Sequence, residues 1–149
     1  MINVGLISDT HGRFKEEWKE HFKRCDLLIH AGDLDDSEAY EWFSGLKIPT
    51  YIVRGNCDRG MYADYLQDKM IVPAGGKLFL VIHNRAYIPW VFDDVDFVIF
   101  GHTHIPADEM RGGIRFINPG SAGNDRGAGK SMAILHLEGE EATLERISL

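Results

Sequence analysis

Cysteine is scarce in this chain. Cys25 and Cys57 are the only two among 149 residues, too few for a disulfide framework or a Cys-type structural zinc site, and they read as unrelated free thiols in a reducing compartment. No uninterrupted apolar stretch approaches the roughly 18 residues of a membrane span. The amino terminus, Met1 to Gly5, lacks the basic and apolar regions of a signal peptide, so a cytoplasmic location is expected. Basic residues are outnumbered, with 16 Lys+Arg against 23 Asp+Glu and a net charge of −7. That balance opposes general attraction to a polyphosphate backbone and argues against a nucleic-acid binder. Internal repeats, low-complexity tracts and linkers are also missing.

What is present is ordinary globular material, 44% hydrophobic, 11% aromatic and 26% charged. A chain of this length fits one domain, residues 1–149, and buries about 70% of its unfolded surface. Val4-Gly5-Leu6-Ile7, Leu27-Leu28-Ile29-His30 and Thr50-Tyr51-Ile52-Val53 read as short buried strands. Between the first two, Phe14, Trp18, Phe22 and Cys25 recur at helical spacing among charged residues, which predicts an amphipathic helix. A second helix with apolar face Ala39, Trp42, Phe43 and Leu46 is expected between the next two, capped by Asp35, Asp36 or Ser37 and stopped at Gly45.

The second half is richer in turns. Lys69 to Val72 and Lys77 to His83 flank Pro73-Ala74-Gly75-Gly76, a hairpin connection with two glycines able to take positive φ. Asp96 to Phe100, Ile114 to Asn118, Ser131 to Leu137 and Ala142 to Ile147 complete the strands, and short connections imply antiparallel pairing there. Gly120 to Gly129 reads as one mobile surface loop. The pattern suggests an α/β architecture of two stacked sheets with helices outside.

Nearly every strand ends in residues that bind metals. Asp9-x-His11, Gly32-Asp33, Gly55-Asn56-x-Asp58, His83 and Gly101-His102-x-His104 occur in that order. Carboxylate, amide and imidazole donors with few thiolates suit manganese, iron or zinc. In an extended segment residues two apart point the same way, so Asp9 with His11, or His102 with His104, can each address one cavity from one stretch of backbone.

These five clusters, together with Asn118-Pro119-Gly120-Ser121, match the motif set of the calcineurin-like metallophosphoesterases from Asp9 to Ser121. The chain resembles most the small bacterial and archaeal branch of YfcE-like phosphodiesterases. The resemblance implies a four-layer αββα sandwich of two mixed β-sheets flanked by helices. It implies that Asp9, His11, Asp33 and His104 hold one divalent ion and that Asp33, Asn56, His83 and His102 hold a second, with Asp33 between them. Manganese is the metal it favours, with iron, nickel, cobalt or zinc as alternatives. Two such ions, about 3.5 to 4 Å apart, lower the pKa of a shared water and direct it in line at phosphorus. The implied activity is hydrolysis of phosphodiesters in small nucleotide-like or activated aryl molecules. Two alternatives stay open: a protein-interaction module on the same scaffold, as in a eukaryotic retromer subunit, and a phosphomonoesterase or protein phosphatase.

Two positions depart from the wider family. Where many relatives carry a His after the Asn ligand, as proton donor to the leaving group, this chain has Cys57, a weaker donor that favours acidic leaving groups. Where relatives read His-Gly-His, this chain reads His83-Asn84-Arg85; Arg85 either clamps a substrate phosphate or points to solvent. Asp58 is expected to support the site through hydrogen bonds. His21, His30 and His136 read as structural, as does the Asn118 to Ser121 turn, while Cys57 is either functional or a small filler. The aromatic cluster from Tyr87 to Phe92 either packs inward or, if exposed, offers a surface for a homo-oligomer.

Overall fold

The computed structural model describes residues 1–89 and 94–149. Among these residues ten strands form two five-stranded mixed sheets. The first has the order β10-β9-β1-β2-β3, from Glu141–Ser148, Ser131–Glu138, Ile2–Ile7, Leu27–His30 and Thr50–Ile52. The second has the order β4-β5-β6-β8-β7, from Lys69–Ala74, Lys77–Ile82, Phe97–Ile99, Ile114–Asn118 and Ala107–Arg111.

Side chains alternate across each strand, and the two faces of each sheet find different partners. Val4, Leu6, Leu27, Ile29, Ala133 and Leu135 point inward to meet Val72, Phe79, Val81, Phe97, Ile99 and Ile117 of the opposite sheet. Ile7, Leu28, Met132 and Ile134 point outward, under Trp18, Phe22, Ala39 and Phe43 of the helical layer. On the outer face of the second sheet Leu80, Ile82, Val98, Phe100 and Phe116 pack with Ile88 and Val95. The continuous apolar runs of β1, β2, β5 and β6 reflect burial on both faces.

The helical layers are thin. The stripe from Phe14 to Cys25 folds as a 3-10 turn, Glu16–Trp18, running into a single α-helical turn, α1, Lys19–Phe22. It stops early because Asp26 is fastened to β1: its backbone N–H donates to Asn3 O at 2.7 Å, and its carboxylate accepts from Asn3 N at 2.7 Å. The second helix, α2, Ser37–Ser44, is capped by Asp36, whose Oδ1 accepts from Ala39 N at 2.9 Å. Over the second sheet the described residues contribute one 3-10 turn, Arg85–Tyr87.

β1, β2 and β3 run parallel, as do β5, β6 and β8, so the second half is not simply antiparallel. The antiparallel expectation holds for the local pairs β4 with β5, β7 with β8 and β9 with β10. Gly75 and Gly76 turn the first of these hairpins at φ 57° and 77°, a two-residue turn that needs positive φ at both positions. The Gly120 to Gly129 segment is also more ordered than a surface loop throughout. Ser121, Ala122 and Gly123 are buried, and Gly123 N donates to Asp9 O at 3.1 Å. Of the aromatic cluster, Tyr87 is 77% exposed, and Trp90 to Phe92 lie outside the described residues.

Candidate metal centre

Parallel strands leave their carboxyl ends along one edge, and the loops that follow β1, β2, β3, β5 and β6 converge there. The convergence is tight enough to exclude side chains. A Cβ on Gly101 would lie 2.1 Å from Ser8 Oγ and 2.4 Å from Asp9 Oδ2. One on Gly55 would lie 2.1 Å from Asp33 Oδ1.

The backbone in these loops is not extended. Asp9, His11, Asp33, Asp35, His102 and His104 all adopt positive φ, between 47° and 78°. Left-handed backbone is unfavourable for residues with a Cβ and clusters at functional sites, where surrounding structure enforces it. Asp9 and His11 do reach one cavity, but through two left-handed residues and not through strand alternation. His102 and His104 diverge instead: His104 joins Asp9 and His11, and His102 faces Asn56.

Asp9 divides its carboxylate between two tasks. Oδ2 accepts from Ser8 Oγ at 2.6 Å and from His102 N at 3.0 Å. Oδ1 is buried and accepts no hydrogen bond, yet lies 3.2 Å from His104 Nε2, 3.7 Å from His11 Nε2 and 3.8 Å from His83 Nε2. Asp33 is similar: Oδ1 accepts from Cys57 N at 2.7 Å, and Oδ2 lies 3.2 Å from His83 Nε2 and 3.9 Å from His11 Nε2. Both oxygens therefore face His83 and His11, and Asp9 Oδ1 faces His104 as well.

His83 carries the strongest indication of a cation site. Its Nδ1 lies 2.8 Å from Ala31 O, which only accepts, so Nδ1 holds the proton. The Nε2 lone pair then faces Asn56 Oδ1 at 3.0 Å and Asp33 Oδ2 at 3.2 Å. Three acceptors meeting at one point need a shared positive charge, either a proton or a metal ion. His11 is oriented the same way, with Nδ1 at 2.9 Å from Asp35 Oδ2 and Nε2 at 3.1 Å from His104 Nε2. Asn56 Oδ1 also lies 3.1 Å from His102 Nδ1. Two groups of donor atoms have metal-ligand spacing, Asp9 with His11 and His104, and Asp9 with Asp33 and His83, and Asn56 Oδ1 lies beside the second.

The electrostatics reflect the same crowding. Burial pushes the Asp33 carboxyl up, but His83, the Cys57 N–H and His11 outweigh it and hold it at about 2. Asp9 is likewise below the usual carboxylate range, because His11, His83, Ser8 and His104 together overcome its burial. The neighbouring Asp9 carboxylate, against the opposing effect of burial and with help from Asp35, raises His11 to about 9. The His83 imidazole is also raised, since Asp33 and Asp9 outweigh its burial.

Asp58 holds the loops around this cluster. Its carboxylate accepts from the backbone N–H groups of Asp33, Leu34, Asp35 and Gly55 at 2.7 to 3.1 Å, and from Tyr62 Oη at 2.9 Å. His30 is fully buried between Thr10 Oγ1 at 3.0 Å and Gly32 N at 3.0 Å, beneath Phe43. The Asn118 to Ser121 turn braces the site: Asn118 Nδ2 donates to Gly101 O at 3.1 Å, and Ser121 Oγ donates to Asp9 O at 2.7 Å.

The two departures resolve differently. Cys57 is half-buried beside the cluster, and burial together with Asp33 and Asp35 pushes its thiol up to about 11. Arg85 neither clamps the site nor extends into solvent. It is ion-paired with Glu109 and sits 5.0 Å from the ring centroids of both Phe100 and Phe116 on the outer face of the second sheet. With its guanidinium on a carboxylate and two aromatic faces, Arg85 does not line the cavity beside the cluster. The basic groups beside the cluster are others, Arg54, Arg59 and Lys69, which line a cavity next to Asn56, His83 and His102. Their isolated positions in the sequence gave no signal.

Relatives are consistent with this geometry. The chain is 34% identical to the probable metallophosphoesterase YsnB of Bacillus subtilis over 157 aligned residues, covering 96% of this chain and 89% of that protein. Among solved structures, an archaeal phosphodiesterase superposes with a TM-score of 0.76 at 21% identity, covering 99% of this chain and 100% of that one. A zinc-complexed Vps29 from Entamoeba histolytica superposes with a TM-score of 0.73 at 22% identity and 99% coverage of both chains. The model of the calcineurin-like phosphoesterase superfamily domain matches residues 2–140, and the chain belongs to that superfamily.

Proposed function

We propose that the protein is a phosphodiesterase that holds two divalent cations and cleaves small phosphodiesters with acidic leaving groups. The observation that carries this reading is the convergence of lone pairs from His83 Nε2, Asn56 Oδ1 and Asp33 Oδ2, beside the unpartnered Asp9 Oδ1. Asp9, His11, Asp33 and His104 would hold one ion; Asp33, Asn56, His83 and His102 would hold the other, with manganese the favoured metal. When bound, such a pair activates water and neutralises phosphoryl oxygens.

The chain's own residues supply position. Ala31 O fixes the His83 tautomer, Asp35 fixes that of His11, and the Cys57 N–H and Asp58 hold the Asp33 loop. No imidazole stands at position 57, and a thiol is a weak proton donor, so leaving groups that depart unprotonated are cleaved best. No helix among the described residues is long and apolar enough to cross a membrane.

The test is turnover of bis(p-nitrophenyl) phosphate by chelator-stripped protein after reconstitution with manganese, alongside metal counting. Two ions per chain with metal-dependent turnover support the reading, and a rate that falls as leaving-group pKa rises supports the weak donor. Absence of turnover with every divalent metal tried, with fewer than two ions bound, returns the protein to the interaction-module alternative.

A further inference from the structure

Beside the second cation position the fold opens a cavity of about 790 Å³, far larger than one phosphate group requires. Asn56, His83 and His102 line it, and so do the exposed side chains of Arg54, Arg59 and Lys69. Among the described residues none of these three cations forms an ion pair, whereas Arg24, Arg85 and Arg115 each do. In a chain of net charge −7, three such cations line one cavity with only Asp58 and Asp68 as carboxylates beside them.

The backbone holds them there. Val53 pairs with Gln67 in a parallel bridge, and Arg54 N donates to Gln67 O at 2.8 Å, which ties the end of β3 to the start of β4 and so Arg54 to the neighbourhood of Lys69. Arg59 follows Asp58, whose carboxylate is anchored by four backbone N–H groups. Like charges brought together by fixed backbone repel one another unless an anion joins them.

We infer that this cavity binds a second phosphate on the substrate, so that the preferred substrates are phosphodiesters with a phosphomonoester on one ester arm. The inference rests on the phosphodiesterase reading above. Three positive charges against the two carboxylates of Asp58 and Asp68 leave the lining with an excess of one, and a phosphomonoester dianion gains more from that excess than a singly charged carboxylate does. Two guanidinium groups also suit phosphate because each presents paired planar donors.

The experiment compares thymidine 3′,5′-bisphosphate with thymidine 5′-phosphate by calorimetry on manganese-loaded protein, together with hydrolysis of thymidine 5′-(p-nitrophenyl phosphate) with and without a 3′-phosphate. Charge-assisted contacts predict a binding ratio of at least about tenfold in favour of the bisphosphate. The ratio should collapse toward one in the Arg59→Gln/Lys69→Gln double variant and persist in Lys15→Gln/Lys23→Gln, which removes the same charge from residues that do not line the cavity. Equal binding by the unmodified protein, or a ratio that the Arg59 and Lys69 changes leave intact, overturns the inference. So does equally tight binding of a 3′-O-carboxymethyl analogue, which would assign the site to carboxylates. Bisphosphate preference without hydrolysis by any metal form would instead sink the phosphodiesterase reading and leave the anion site standing.

Discussion

The backbone N–H of Cys57 donates to Asp33 Oδ1 at 2.7 Å, and this contact leaves Asp33 Oδ2 to face His83 at 3.2 Å. The residue at position 57 thus acts on the metal cluster through its main chain, whatever its side chain does. Cys57→Ala should therefore keep two metal ions per chain, because the N–H remains. Asp33→Asn should drop the count to one or none, because the amide replaces a shared anionic oxygen by a neutral group. Elemental analysis after dialysis against manganese decides both, and loss of metal in Cys57→Ala would show that the thiol itself holds an ion.

Close backbone approach makes a second prediction at Gly123. A Cβ there would lie 2.0 Å from Thr10 O, between Asp9 and His11. Neither backbone can move without disturbing left-handed residues at both ligand positions. Gly123→Ala should cost about 1–3 kcal/mol in chemical denaturation, the usual range for overpacking, and should weaken metal binding as well. An alanine variant with unchanged manganese affinity would mean that the Asp9 loop adjusts freely.

How far the sequence revealed this arrangement depended on the kind of interaction involved. β1, β2, β5 and β6 were legible because burial on both faces leaves mostly apolar side chains. Strand β7, Ala107–Arg111, was missed because it is an edge strand reading Ala-Asp-Glu-Met-Arg, with little apolar pattern to mark it. That omission also hid the position of Arg85, whose partner Glu109 lies on β7. The ligand residue types were visible at the strand ends, but their left-handed backbone was not, since contacts distant in sequence enforce it. Arg54, Arg59 and Lys69 became a group only through the pairing of Val53 with Gln67.

Asp58 is a hub for stability. Replacing it by Ala would strip four backbone donors of their acceptor, and those of Asp33, Leu34 and Gly55 are buried. At 1–3 kcal/mol for each buried donor left unmet, the total loss should be at least about 3 kcal/mol. Tyr62→Phe removes only one of the five contacts and should cost about 1 kcal/mol. Urea melts of both variants in excess chelator separate this structural loss from metal linkage, and comparable small losses would show that water replaces the carboxylate.

Acid should destabilise the protein partly through His30, which is buried under Phe43 with its two nitrogens on Thr10 and Gly32. Burial pushes its pKa down from 6.5 to about 4, so the folded protein holds the ring neutral where the unfolded chain would protonate it. Between those two values the unfolded state binds more protons, and stability rises with pH across that window. The contribution is complete above pH 6.5 and is lost as pH falls toward 4, with an upper size on the order of 3 kcal/mol. His30→Gln can offer an acceptor to Gly32 N and a donor to Thr10 without titrating. Metal-free denaturation from pH 4 to 7 should give a shallower slope for His30→Gln than for the unmodified protein, whatever the variant's absolute stability. Parallel slopes would place the acid sensitivity elsewhere, in groups other than this ring.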